Sequence, residues 1–183
     1  MTMSDRRQYL RMQTGPVHQE LDELVGNFDT IDTYRRYVGG MLRFRQAIEL
    51  QIAASDLPRH GLGSFKPSFV ASELRQDYQA LIGPDLPPSS GEELPPLDAS
   101  ALFGTLYVLE GSSLGARLLW RRAKAIGLDE TNGAAHLLKQ SADKGNWNAF
   151  CALLLTADNV DCHEMADAAS IAFNRALHAF GTH

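Results

Sequence analysis

Residues 101–127 read ALFGTLYVLEGSSLGARLLWRRAKAIG, and their reading decides the fold. Apolar residues recur at helical spacing, and Asp98 or Ser100 can cap the start. The spacing predicts one helix running to about Ala125, stopped by Gly127. Three glycines interrupt it. At roughly 100° per residue, Gly104, Gly111 and Gly115 fall within about 40° of each other, with Val108 beside them. Each interior glycine costs about 0.5–1 kcal/mol relative to alanine. A helix carries that cost where its backbone must approach something that a Cβ would push away. The partner is either another helix or a flat ligand.

Helical periodicity also dominates outward from this segment, and strand signals are nearly absent. Ser4 or Asp5 can cap a first helix carrying Tyr9, Leu10, Val17, Leu21 and Leu24. Gly15-Pro16 interrupts it, because a proline ring clashes with the carbonyl four residues back, so a kink or a restart capped by Thr14 is expected. Asp29 or Thr30 opens a second helix, which ends before Pro58, and Ser68 a third, stopped by Gly83-Pro84. The stretch GPDLPPSSGEELPPLDAS, residues 83–100, reads as a Pro-rich loop inside one domain, because the helices before it are too few to close a core. After an irregular stretch, a short helix is expected over 145–157. A last amphipathic helix from Asp161 carries Met165, Ala169, Ala172, Phe173, Leu177 and Phe180. The expectation is an all-α chain with a single domain spanning 1–183.

Composition excludes several classes. A net charge of −5 argues against nucleic-acid binding, which calls for a basic surface. No apolar run reaches the ~18 residues that a bilayer span needs. The opening MTMSDRRQYLRMQ lacks the apolar stretch of an export signal, so a cytoplasmic location and no membrane partner are expected. Cys151 and Cys162 have no CxxC spacing and read as reduced thiols.

Among six histidines, His18 has the most structured surroundings. Arg11, Thr14, His18, Leu21 and Asp22 share one helix face. Asp22, one turn on, can hold the imidazole N–H, which fixes the tautomer and raises the basicity of a metal-bound ring. Arg11 can reach a ligand carboxylate. Taken alone, this pattern is equally that of a partly buried structural histidine. Two segments together say more. LRMQTGPVHQELDEL (10–24) and LYVLEGSSLGARLL (106–119), in this order and separation, resemble the heme oxygenase family, especially its bacterial members.

The resemblance implies a multi-helix fold with heme between a proximal and a distal helix. His18 is then the axial iron ligand, Asp22 its carboxylate partner, and Arg11 the residue steering a propionate. Gly111 and Gly115 match the distal glycines whose backbone lies close to bound O₂. It implies oxidative ring opening of heme to biliverdin, Fe²⁺ and CO, with heme as both cofactor and substrate. A single imidazole leaves the sixth iron position open. The chain has no flavin or nucleotide motif, so electrons come from an external ferredoxin or flavoprotein reductase. A bilin acceptor such as a bacteriophytochrome is a further implied partner. Where some members carry an aspartate after the first distal glycine, this chain has Ser112, followed by Ser113, so Ser112, Tyr107 and Arg117 become the candidates for holding water and moving protons. Arg175 and His178 on the last helix are placed near propionates, and Phe173 at the pocket wall. Glu110 faces away from the glycine stripe and reads as a solvated or helix-pairing carboxylate. Arg121, Arg122 and Lys124 complement a helix C-terminus. His60, His136, His163 and His183 lack ligand spacing and read as surface residues. The alternative to the enzyme is a non-catalytic heme-binding protein or sensor on the same scaffold.

Overall fold

The computed structural model describes residues 3–86, 94–143 and 145–181. Among them eight helices occur in order: α1 (Met3–Val25), α2 (Ile31–Ala53), α3 (Ala71–Leu81), α4 (Ala99–Gly111), α5 (Ser113–Ala125), α6 (Ala135–Ala142), α7 (Asn146–Thr156) and α8 (Cys162–Gly181). There is no strand among the described residues. The centre of the 83–100 loop, residues 87–93, lies outside them, as do His183 and the Ser4 and Asp5 side chains expected to cap α1.

Helix α8 is the hub, with α1, α2 and α4 all packed on it. Its composition explains why. Ala166, Ala168, Ala169, Ala172, Ala176 and Ala179 are all buried, so neighbouring backbones come close. The approach is tightest at Gly104, where a Cβ would overlap the Met165 carbonyl oxygen and lie 3.0 Å from the Ala168 methyl. One glycine of the stripe therefore serves a helix crossing. Gly40 on α2 plays the same part against the Phe180 ring, which a Cβ would meet at 2.5 Å. Leu10, Leu102, Phe103, Leu106, Leu109, Phe150 and Met165 fill the core around α8. A second cluster joins α2 and α3 to the α6 region through Phe28, Tyr34, Tyr37, Leu74 and Leu137. Each such fully buried side chain contributes about 1.5–3 kcal/mol.

Three expectations change. Helix α1 continues through Pro16 without a restart. Thr14, expected as a cap, is instead buried within the helix and donates its hydroxyl to the Leu10 carbonyl (2.8 Å). The 101–125 helix is two helices, broken at Ser112. There the Ser112 hydroxyl donates to the Leu109 carbonyl (2.7 Å) and that of Ser113 to the Glu110 carbonyl (2.6 Å). Such back-bonding competes with the helix amides and bends the chain. The stretch read as irregular contains α6, whose first amides, at Ala135 and His136, donate to the Asp77 carboxylate (2.9 and 3.0 Å). Helix α3 begins the same way, with the Val70 and Ala71 amides donating to Glu49 of α2 (2.8 and 3.0 Å). Both caps come from distant carboxylates and leave no local sequence mark.

His136 is fully buried, which corrects its reading as a surface residue. Its Nδ1 lies 2.6 Å from Asp77 Oδ2, and its Nε2 lies 3.4 Å from the Tyr37 hydroxyl. Burial holds its pKa below the usual 6.5, against the opposing pull of Asp77. The unfolded chain therefore takes up the proton more readily. Stability at this site is complete above pH 6.5 and is lost as pH falls toward the depressed folded value. Denaturant titrations at pH 7.5, 6.5 and 5.5 should show a decline of up to about 1.4 kcal/mol per pH unit below 6.5. His136→Asn should flatten it. An equal decline in that variant would assign it to other groups.

Candidate functional site

His18 stands on α1 with its side chain 57% exposed. Its Nδ1 lies 3.2 Å from Asp22 Oδ2, one turn on, which selects the tautomer with the proton on Nδ1. The ring edge meets Phe173 of α8 at 5.2 Å and an interplanar angle of 83°. Two elements thus orient the imidazole, while Nε2 has no partner among the described residues. Arg11 lies exposed two turns earlier. His18, Asp22 and Phe173 come together as the sequence suggests.

The other wall is the α4–α5 break. No atom lies within 4 Å of where a Cβ on Gly115 would stand, and Gly15 on α1 is equally open. At Gly111 a Cβ would find only the Trp147 ring, at 3.6 Å. Leu114 (62% exposed) and Leu118 (51%) flank Gly115 on α5. An apolar strip in which Gly115 packs on nothing and Gly111 only against the Trp147 ring is what a flat, greasy ligand would cover. Leu114 and Leu118 were legible in GSSLGARL as two glycine–leucine pairs, each three residues apart. The glycine stripe therefore divides: Gly104 packs on a helix, whereas Gly111 and Gly115 face space.

Tyr107 joins the two walls. It is half-buried, hydrogen-bonds the Thr14 side chain one turn before His18, and lies 5.8 Å from the Trp147 ring. Burial raises its pKa, opposed by that bond and by Arg11 and Arg7. The Ser112 hydroxyl spends its proton on Leu109 and receives the Gln140 amide at 3.3 Å. It can accept from a water without readily donating to one.

Two expected site residues stand elsewhere. Arg175 donates to Gln51 (3.1 Å) across a cleft of about 140 Å³ among α2, α4 and α8. It is two residues from Phe173, hence about 200° round the helix and away from His18. That cleft is far below the ~300–1,000 Å³ of ordinary ligand pockets. Arg117 points toward α6, its Nε 3.5 Å from the Ser141 carbonyl. No cluster of three metal-ligating side chains occurs among the described residues, and Cys151 and Cys162 form no disulfide.

Behind the break lies a buried polar set that the sequence reading passed over. Glu110 is not solvated but completely buried. It accepts the Ser68 amide (2.8 Å) and the Asn146 side-chain amide (3.0 Å). Burial raises its pKa, with those bonds and Arg45 opposing. Arg45, also fully buried, pairs with Glu49 at 2.9 Å and donates to the carbonyls of Ser68 and Leu109. Burial lowers its pKa, against the attraction of Glu49 and Glu110.

An all-helical chain with an oriented imidazole on α1 and a glycine-bearing break between α4 and α5 has the all-α heme oxygenase fold. A solved heme oxygenase from Neisseria meningitidis superposes with a TM-score of 0.70, covering 96% of this chain and 92% of that one at 23% identity. No family model matches the sequence. Heme oxygenase PigA of Pseudomonas aeruginosa is 32% identical over 184 residues, covering 93% of this chain and 88% of that protein. The chain belongs to the heme oxygenase family.

Alanine substitutions separate the two kinds of glycine. Gly104→Ala should destabilise the ligand-free protein by about 1–3 kcal/mol through overpacking. Gly115→Ala should stabilise it by up to about 1 kcal/mol, since only helix propensity changes. Urea titration measures both. Equal signs would contradict the division.

Proposed function

We propose that this chain, acting as one domain, binds heme and opens its ring in an oxygen- and electron-dependent reaction yielding biliverdin, Fe²⁺ and CO. The supporting observation is His18, an oriented imidazole whose Nε2 has no partner among the described residues, together with Gly115, where a Cβ would meet nothing within 4 Å. In this reading Nε2 of His18 takes the proximal position, and Asp22 keeps the proton on Nδ1 and sharpens the donor's basicity. Phe173 prevents ring rotation. Heme supplies the iron that activates O₂ and the carbon framework that is oxidised.

The protein supplies placement. Gly111 and Gly115 allow the main chain to descend onto the open face of the ring, where a Cβ would hold it off. Held there, the main chain would restrict the space open to oxygen over that face of the ring. Leu114 and Leu118 exclude water from the ring plane, and Arg11 answers a propionate at the rim. Ser112 holds water as an acceptor, and Tyr107, closing the end where α1 meets α4, is the nearer source of a hydroxyl proton. Arg175 and Arg117 fall outside this set. The missing flavin and nucleotide motifs support an external reductase or ferredoxin as electron donor, and the bilin product suits an acceptor such as a bacteriophytochrome. No helix of the described residues is long and apolar enough to cross a membrane.

Purified chain with hemin, O₂ and ascorbate or a reductase should lose the Soret band while biliverdin absorbance grows. A stable Soret band would instead leave a heme-binding protein without turnover. His18→Ala should abolish ring opening and change the iron spectrum, with external imidazole restoring ligation. Gly115→Leu should bind hemin yet turn over at least tenfold more slowly, because the blocked ledge spoils placement. Unchanged spectra and rates in these two variants would remove both assignments.

A further inference from the structure

The helix break carrying Gly111 and Ser112 is intrinsically loose. Gly111, Ser112 and Ser113 are weak helix formers, and the two serine hydroxyls occupy the carbonyls of Leu109 and Glu110. The Ser112 amide still reaches the Val108 carbonyl (3.1 Å). Beyond it, α5 has no seat of its own at Gly115, where a Cβ would meet nothing within 4 Å. Something must set the height and tilt of this ledge.

Immediately before the break, two separate segments converge on one side chain. Glu110 accepts the Ser68 main-chain amide with Oε1 (2.8 Å) and the Asn146 amide group with Oε2 (3.0 Å). Ser68 lies on the approach to α3, and Asn146 is the first residue of α7. Arg45 closes the lock from α2, donating to the Ser68 carbonyl and, at 3.5 Å, to the Leu109 carbonyl. Asn146 also donates to the Lys66 carbonyl (3.0 Å) and Ser68 Oγ (2.9 Å). The next residue, Trp147, supplies the only ring near Gly111 among the described residues. Glu110 and Arg45 are wholly buried, so water cannot replace these partners when one is lost.

We infer that Glu110 is a positioning residue for ring opening: it pins the α4–α5 break to Ser68 and Asn146 and so fixes where the Gly111–Gly115 ledge lies over the ring. It touches neither ring nor oxygen and acts through the main chain of Gly111 and Ser112. This rests on the heme-degrading reading, in which the ledge directs the attack. Loss of the pin leaves His18, Phe173 and the apolar walls intact. Binding survives, while placement on the open face degrades. The consequence is a spread of ring-opening positions, which general loss of stability does not produce.

Glu110→Gln tests this, because it keeps shape but turns a donor toward the Asn146 amide. Hemin affinity should stay within about threefold, while turnover falls about tenfold to a hundredfold, as ångström-scale misplacement does. Chromatography of the product should show a mixture of biliverdin isomers where the wild type gives one dominant isomer. In the heme-free chain, amides 112–116 should exchange with deuterium at least tenfold faster, and α8 amides should be unchanged. Should Glu110→Gln fail to fold, Asn146→Ala removes one of the two bonds to Glu110, with those to Lys66 and Ser68, and should show the same effects. Wild-type isomers together with wild-type exchange in a folded variant would overturn the proposal. Failure of the wild-type chain to perturb the hemin spectrum would instead sink the heme reading, and the exchange measurement on heme-free protein would still decide the pinning role.

Discussion

The Arg45 guanidinium, fully buried between Glu49 and Glu110, is the constraint around which the helices are arranged. Removing a charge from water costs several kcal/mol, and an ion pair repays it only when the remaining lone pairs are also satisfied. Here main-chain amides complete the set. Val70 and Ala71 serve Glu49, and Ser68 serves Glu110. The same bonds cap α3 and anchor α7 through Asn146. Charge satisfaction and helix placement are thus one event: α2, α3, α4 and α7 cannot shift separately without stranding a buried charge. Apolar packing on α8 supplies the bulk of the stabilisation. The charged set selects one register of that packing.

The fold was legible where periodicity carries it. The bounds of α7 and α8 match the apolar spacing, and Thr30 caps α2 with a reciprocal box to Thr33. What the sequence hid is non-local. Helix α6 starts on Asp77, 58 residues away in the chain, so no neighbouring residue announces it. Pro16 costs α1 one hydrogen bond, yet α8 and α7 hold both halves of the helix in line. Tertiary packing overrides a local breaker when the flanking turns are independently anchored.

The site divides in the same way. His18 and Asp22 were readable because a helical i, i+4 pair is local geometry. Gly111 and Gly115 were singled out from their motif, but their difference from Gly104 was not legible, since all three share one stripe and only the Met165 carbonyl against Gly104 tells them apart. Glu110 was legible only as a choice between a solvated and a helix-pairing carboxylate, and Arg45 was not singled out, because each carries the mark of a surface residue. A charge in a helix reads as solvated unless its partners, 42 and 64 residues distant here, are known. Arg175 lies on α8 as expected, and its bond to Gln51, 124 residues distant, is one that no local pattern announces.

The arrangement also explains why the loose and rigid parts of the ledge lie side by side. A ligand that enters between α1 and α5 must find a face that is exposed and unfilled beforehand, which Leu114, Gly115 and Leu118 provide at some cost in stability. Function at the iron requires the reverse, a main chain held to within a fraction of an ångström. These demands conflict if one segment must meet both. They are separated here across a single residue: Gly111 and the first turn of α5 remain open, while Glu110 is locked behind them. A ligand that covers the strip contributes binding energy without having to order the break. That energy then tightens a geometry already specified by Arg45, Ser68 and Asn146, so precision at the open face derives from the buried one.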